Sequence, residues 1–210
     1  MLRSSQSTTL AITAASMAAL ASCTAAHGDL IEFTFSGTIT EIGFGAPSGY
    51  WGDIEVGMPW ELSYVFDSRQ PDEVPLDEDY GYWEIVSGSV SVGETGASSS
   101  GRIELFIDFF SADTYGGVLS DLPDGGSAGV SLTGGHVFKD DSLPLSLDLG
   151  WFWADEFLLG VPGAPDGAFS ARGAVEDLQI MVIPAPASMV VVVGGVALRM
   201  RSRRRRTPVR

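Results

Sequence analysis

Cysteine occurs once in the 210 residues, at Cys23, and histidine only twice, at His27 and His136. A lone thiol forms no intramolecular disulfide, and a segment holding His136 but no cysteine cannot build a His/Cys zinc cluster. No Gly-x-Ser-x-Gly elbow accompanies His136, whose neighbours Gly134 and Gly135 point to a turn. The paired carboxylates (Asp77, Glu78 and Asp79; Asp140 and Asp141; Asp155 and Glu156) are adjacent along the chain. A glycosidase needs two carboxyls opposed across a cleft, which adjacency does not supply. Positive charge is scarce in the middle of the chain. All 27 acidic residues lie between Asp29 and Asp177, against only Arg69, Arg102, Lys139 and Arg172, a formal charge of −23. A surface of that sign repels nucleic acid. The sequence therefore predicts no enzyme, no catalytic or cofactor-binding residues, no metal centre and no nucleic-acid partner.

Long apolar runs are also missing, and what stands in their place marks the two ends as sorting segments. Residues 1–26 read as a signal peptide: Arg3, a polar stretch, an apolar run from Leu10 to Ala21, then small residues. Such a run is short of the roughly 20 residues that a spanning helix requires. Thr24-Ala25-Ala26 suits signal peptidase and would leave His27 at the mature start. Alternatively, Leu20-Ala21-Ser22-Cys23 resembles the lipobox of bacterial lipoproteins, which implies lipidation at Cys23.

Residues 184–206 combine Pro184-Ala185-Pro186, an apolar block from Met189 to Leu198, and an arginine-rich end that includes Arg203, Arg204, Arg205 and Arg206. The prolines stop the preceding strand, the block enters a bilayer as a short helix, and the arginines stay on the cytoplasmic side. This tail resembles the PEP-CTERM sorting signal, with Ala185 standing where that family usually has glutamate. The resemblance implies export to the cell envelope, cell surface or extracellular matrix. It also implies a transient form anchored in the inner membrane by the C-terminal helix, and cleavage by an exosortase-type membrane protease.

Between these ends, residues 29–183 read as one acidic all-β domain. Ile31, Phe33, Phe35 and Ile39 alternate with polar residues, as do Trp60, Leu62, Tyr64 and Phe66, which is the period of half-buried strands. Further strands are expected at 82–92, 102–109, 129–133, 143–153 and 174–183, with turn-rich segments between them. Seven or eight strands without a long helix predict an antiparallel β-sandwich or jelly roll. Phe35 to Thr40 and Leu62 to Asp67 look like the opening strands of exported domains carried by PEP-CTERM proteins. In the 143–153 strand, Leu143, Leu145, Leu147, Leu149, Trp151 and Trp153 share a register and are expected in the core. The reading is a non-enzymatic structural or surface protein. Its alternative is a carbohydrate-binding module that takes extracellular polysaccharide on exposed aromatics, with or without calcium, for which the acidic stretch Asp72 to Glu84 offers oxygen ligands.

Overall fold

The computed structural model describes residues 29–43 and 45–184. Eight strands follow one another: β1 (Leu30–Ile42), β2 (Pro59–Asp67), β3 (Tyr80–Val92), β4 (Thr95–Phe109), β5 (Ala112–Leu122), β6 (Gly126–Gly134), β7 (Phe152–Val161) and β8 (Phe169–Ile183). Each pairs antiparallel with its neighbours in sequence, and β8 returns to pair with β1 along its full length, from Leu30 opposite Ile183 to Ile42 opposite Ala171. The result is a closed up-and-down barrel. This corrects the expectation of a β-sandwich or jelly roll. Two-sheet architectures leave edge strands, whereas here the β1–β8 ladder joins the two strands that would have been edges.

Alternation sorts the side chains as each strand requires. Phe33, Phe35, Leu62, Tyr64, Phe66, Ile103, Leu105, Tyr115, Leu119, Leu132 and Phe157 point inward and are fully buried. Their rings and branched chains fill the interior, with Phe33 against Phe66 edge to face at 5.1 Å and Trp60 stacked on Phe157 at 4.2 Å. Glycines make room for the largest ring: a Cβ on Gly173 would lie 2.4 Å from the Trp60 indole nitrogen. The outer wall carries Glu32, Glu61, Glu84, Glu104, Glu156 and Arg172, all half-buried or exposed. Apolar inside and charged outside is the reverse of a membrane-spanning barrel. No helix among the described residues is long and apolar enough to cross a membrane.

The two mouths differ. One is closed by the residue 43–58 connection, whose short 3-10 turn (Gly49–Trp51) buries Trp51 completely. The other, here called the loop end, carries the 68–79 connection, the two-residue β4–β5 turn and the long 135–151 connection. Both ends of the barrel chain, Leu30 and Ile183, are also there. The 143–153 strand expected from sequence is not formed. Residues 143–148 lie in the connection, a 3-10 turn spans Leu149–Trp151, and β7 begins at Phe152. Within this stretch Leu147 is buried but Leu145, Trp151 and Trp153 are exposed, so only part of the expected core register faces inward.

Candidate functional site

The loop end gathers many of the acidic side chains and the one histidine among the described residues, His136. Asp113, second residue of β5, is fully buried, and both its oxygens are used. The Asp108 amide donates to Oδ1 at 3.0 Å and the Phe138 amide to Oδ2 at 2.8 Å. One carboxylate thus ties the β4–β5 turn to the 135–151 connection. A buried acceptor that receives two backbone donors is the low-cost arrangement for a charge in that position. His136 approaches from the same connection, its Nδ1 3.0 Å from Asp108 Oδ1, with both side chains mostly exposed. One ligand atom from each of Asp108, Asp113 and His136 lies within 4.8 Å of the others. An imidazole with two carboxylates is a donor set for a first-row transition metal, not the all-oxygen cage calcium prefers. Here Asp113 spends both oxygens on amides, and His136 faces Asp108. The geometry is that of a structural staple.

A cleft of about 540 Å³ opens beside it, between the 68–79 and 135–151 connections, with Arg69, Asp72, Asp141 and Leu143 among its walls and Trp83 at its floor. Asp72 Oδ1 accepts from the Val74 amide at 3.0 Å and the Tyr82 amide at 2.9 Å, which fixes the start of the connection onto β3. Its other oxygen is buried without a hydrogen-bond partner. Within the acidic stretch Asp72 to Glu84, proposed above for calcium, Asp77 Oδ1 accepts from the Asp79 amide at 3.2 Å, a local turn contact. No residue of that stretch belongs to the ligand group found among the described residues.

Aromatic exposure is distributed differently from the sequence expectation. Trp51, Trp60 and Trp83 are buried, while Trp153 is 71% exposed on the outer wall and Trp151 is half-exposed in the 3-10 turn before it. Trp153 borders a shallow depression of about 480 Å³ with Thr133, Asp155 and Glu156. Exposure of these two rings could not be read from the leucine register, because a 3-10 turn at Leu149–Trp151 breaks it and β7 starts with Phe152 facing inward, which turns Trp153 out.

Of the sorting-signal residues, Pro184 is described and exposed directly after β8. Ala185, Pro186 and Arg203, Arg204, Arg205 and Arg206 lie outside the described residues, as do Cys23, the signal-peptide segment and the C-terminal apolar block. The site and fold define a closed eight-stranded barrel with a packed interior and an acidic loop end. No family model matches the chain, and no curated protein or solved structure matches it.

Proposed function

We propose that this chain is an exported, non-enzymatic envelope or matrix protein, whose barrel is cargo for an exosortase-type sorting system. The observation that carries the reading is the pairing of Leu30 with Ile183. Each processing event needs its own end free of the folded core, and this pairing puts the exits to both ends at one mouth of the barrel, outside its packed interior. The packed interior supports a structural role, since the inward positions of the strands are taken by buried Phe, Leu, Ile and Tyr side chains and offer no calyx for a ligand. Signal peptidase and the sorting protease act on the ends, and the barrel travels as a folded unit.

Intact-mass measurement of the protein recovered from native envelopes tests this. A species beginning near His27, or lipidated at Cys23, and lacking most residues after Pro186 is expected. Recovery of an unprocessed 22.2 kDa chain would sink the reading.

A further inference from the structure

Exposed apolar side chains are not scattered over this barrel. Of the 13 large apolar residues exposed among the described residues, nine belong to the loop end or the strand termini that reach it, although that end also holds many of the acids. Leu76 at the middle of the 68–79 connection is 97% exposed and Phe110 at the β4–β5 turn 89%. A file of rings leads along the wall to that turn: Tyr80 to Phe106 at 4.7 Å, Phe106 to Phe109 at 5.6 Å, Phe109 to Phe110 at 4.4 Å. Met181 and Val182 add exposed apolar surface at the end of β8. Phe110 also holds a φ of 54°, a left-handed value rare for a bulky residue. A large ring kept in water contributes little to folding, which points to a contact outside the barrel.

We infer that the loop end seats on the interfacial region of a zwitterionic phospholipid bilayer, with Leu76, Phe109, Phe110 and Trp151 entering the boundary between headgroups and acyl chains. The inference rests on the reading that the apolar block Met189 to Leu198 enters a membrane. Only residues 184–188 separate Ile183 from that block, a reach of about 18 Å at full extension. The mouth from which the chain departs is therefore tethered within about 18 Å of the point where that block enters the bilayer. Tryptophan suits an interface, where its apolar body and its indole N–H are both satisfied, while Leu76 and Phe110 at separate turns supply purely apolar side chains. A second copy is the poorer occupant. Face-to-face contact would set Asp77, Glu78, Asp79, Asp108, Asp140 and Asp141 against their own symmetry mates. The same acids select among lipids. Zwitterionic headgroups present ammonium groups outermost and accept carboxylates, whereas anionic headgroups repel them.

Full-length protein in phosphatidylcholine/phosphatidylethanolamine vesicles, with a fraction of the lipid brominated near the top of the acyl chain, reads the contact directly. Trp51, Trp60 and Trp83 are buried in the barrel, so contact quenching reports Trp151 and Trp153. Substantial quenching is expected. Replacing Leu76 and Phe110 by serine should cut it by half or more while leaving co-flotation unchanged, and Trp151→Phe with Trp153→Phe should abolish it. Vesicles rich in phosphatidylglycerol should quench less. Co-flotation without quenching would overturn the docking and leave the tail reading intact. Absence of both would overturn both. Equal quenching on anionic vesicles would overturn the headgroup assignment, and concentration-dependent dimerisation that the serine variant abolishes would replace the bilayer with a second copy.

Discussion

At the barrel's centre, two phenol groups depend on one another. Tyr64 and Tyr115 are fully buried, and their hydroxyls share a short hydrogen bond. Burial holds both above the ordinary tyrosine value of 10.0, aided at Tyr64 by the neighbouring phenol, while at Tyr115 burial outweighs the opposing effect of the shared bond. Replacing either by phenylalanine leaves a buried hydroxyl without its partner and should cost about 1–3 kcal/mol. Tyr64→Phe with Tyr115→Phe should cost clearly less than the two single changes summed, because no orphan remains. The pH dependence follows in sign. The folded state retains protons that the unfolded chain releases above pH 10, so this contribution is complete below that pH and is lost as pH rises toward the elevated folded values. Urea midpoints from pH 8 to 11.5 should fall for the native chain and fall less for the double variant; parallel curves would refute the assignment.

Residue type also explains how the tight turns are made. The chain has no asparagine. Asp108, Asp121, Asp124 and His136 take left-handed φ values of 48–59°, a conformation their short polar or ring side chains tolerate better than most. Phe110 and Ser111 do so without that excuse. They are the two central residues of the β4–β5 hairpin, closed by the Phe109–Ala112 pair, and both have the positive φ that the favoured two-residue hairpin turn demands.

Among the elements, that turn is why β5 was not anticipated. Asn-Gly or Asp-Gly would have announced a hairpin, but Phe-Ser inside an aromatic run reads as more strand. The 143–153 stretch failed in the opposite direction. Alternating leucines imitate a half-buried strand, yet Leu143, Leu147 and Leu149 reach the barrel from an irregular connection, and Leu145 is 47% exposed. Leu147→Asp should therefore cost several kcal/mol, on the order of 2–5, by burying an unpaired charge. Leu145→Asp should stay within about half a kcal/mol. A half-buried strand would have made the two equally damaging, so comparing their urea midpoints discriminates directly. Of the strands that were legible, which include all or part of β1, β2, β3, β4, β6 and β8, the clearest are β1 and β2, through uninterrupted alternation.

For the whole molecule, closure is the decisive feature. Since Leu30 and Ile183 are paired partners, a linker of about four Gly/Ser residues can join them, and new ends can be cut at the β3–β4 turn between Gly93 and Glu94. The permuted chain should fold with a melting temperature within about 10 °C of the parent, measured by near-UV circular dichroism, because exposed turns adjoining paired strands tolerate such cuts. A permutant that cannot fold would argue that β1 and β8 do not close the barrel.

Local properties were the ones that sequence alone determined: the all-β class, the inward and outward faces of β1 and β2, the acidic exterior, and the apolar and basic composition of the tail. Each depends on neighbouring residues, because successive side chains on a strand point to opposite sides whatever the sheet becomes. Sandwich or barrel, by contrast, was decided by contacts between residues some 130–150 positions apart, from Leu30 with Ile183 to Ile42 with Ala171. Closure is a condition on the summed stagger and twist of all eight strands, and no single strand carries a signal for it. The same holds for the loop end. Asp113 meets Phe138 and His136 meets Asp108 only because the barrel brings three connections to one mouth. Trp151 and Leu76 are exposed there because the interior is already full, a fact set by packing across the barrel and not by any pattern along the chain.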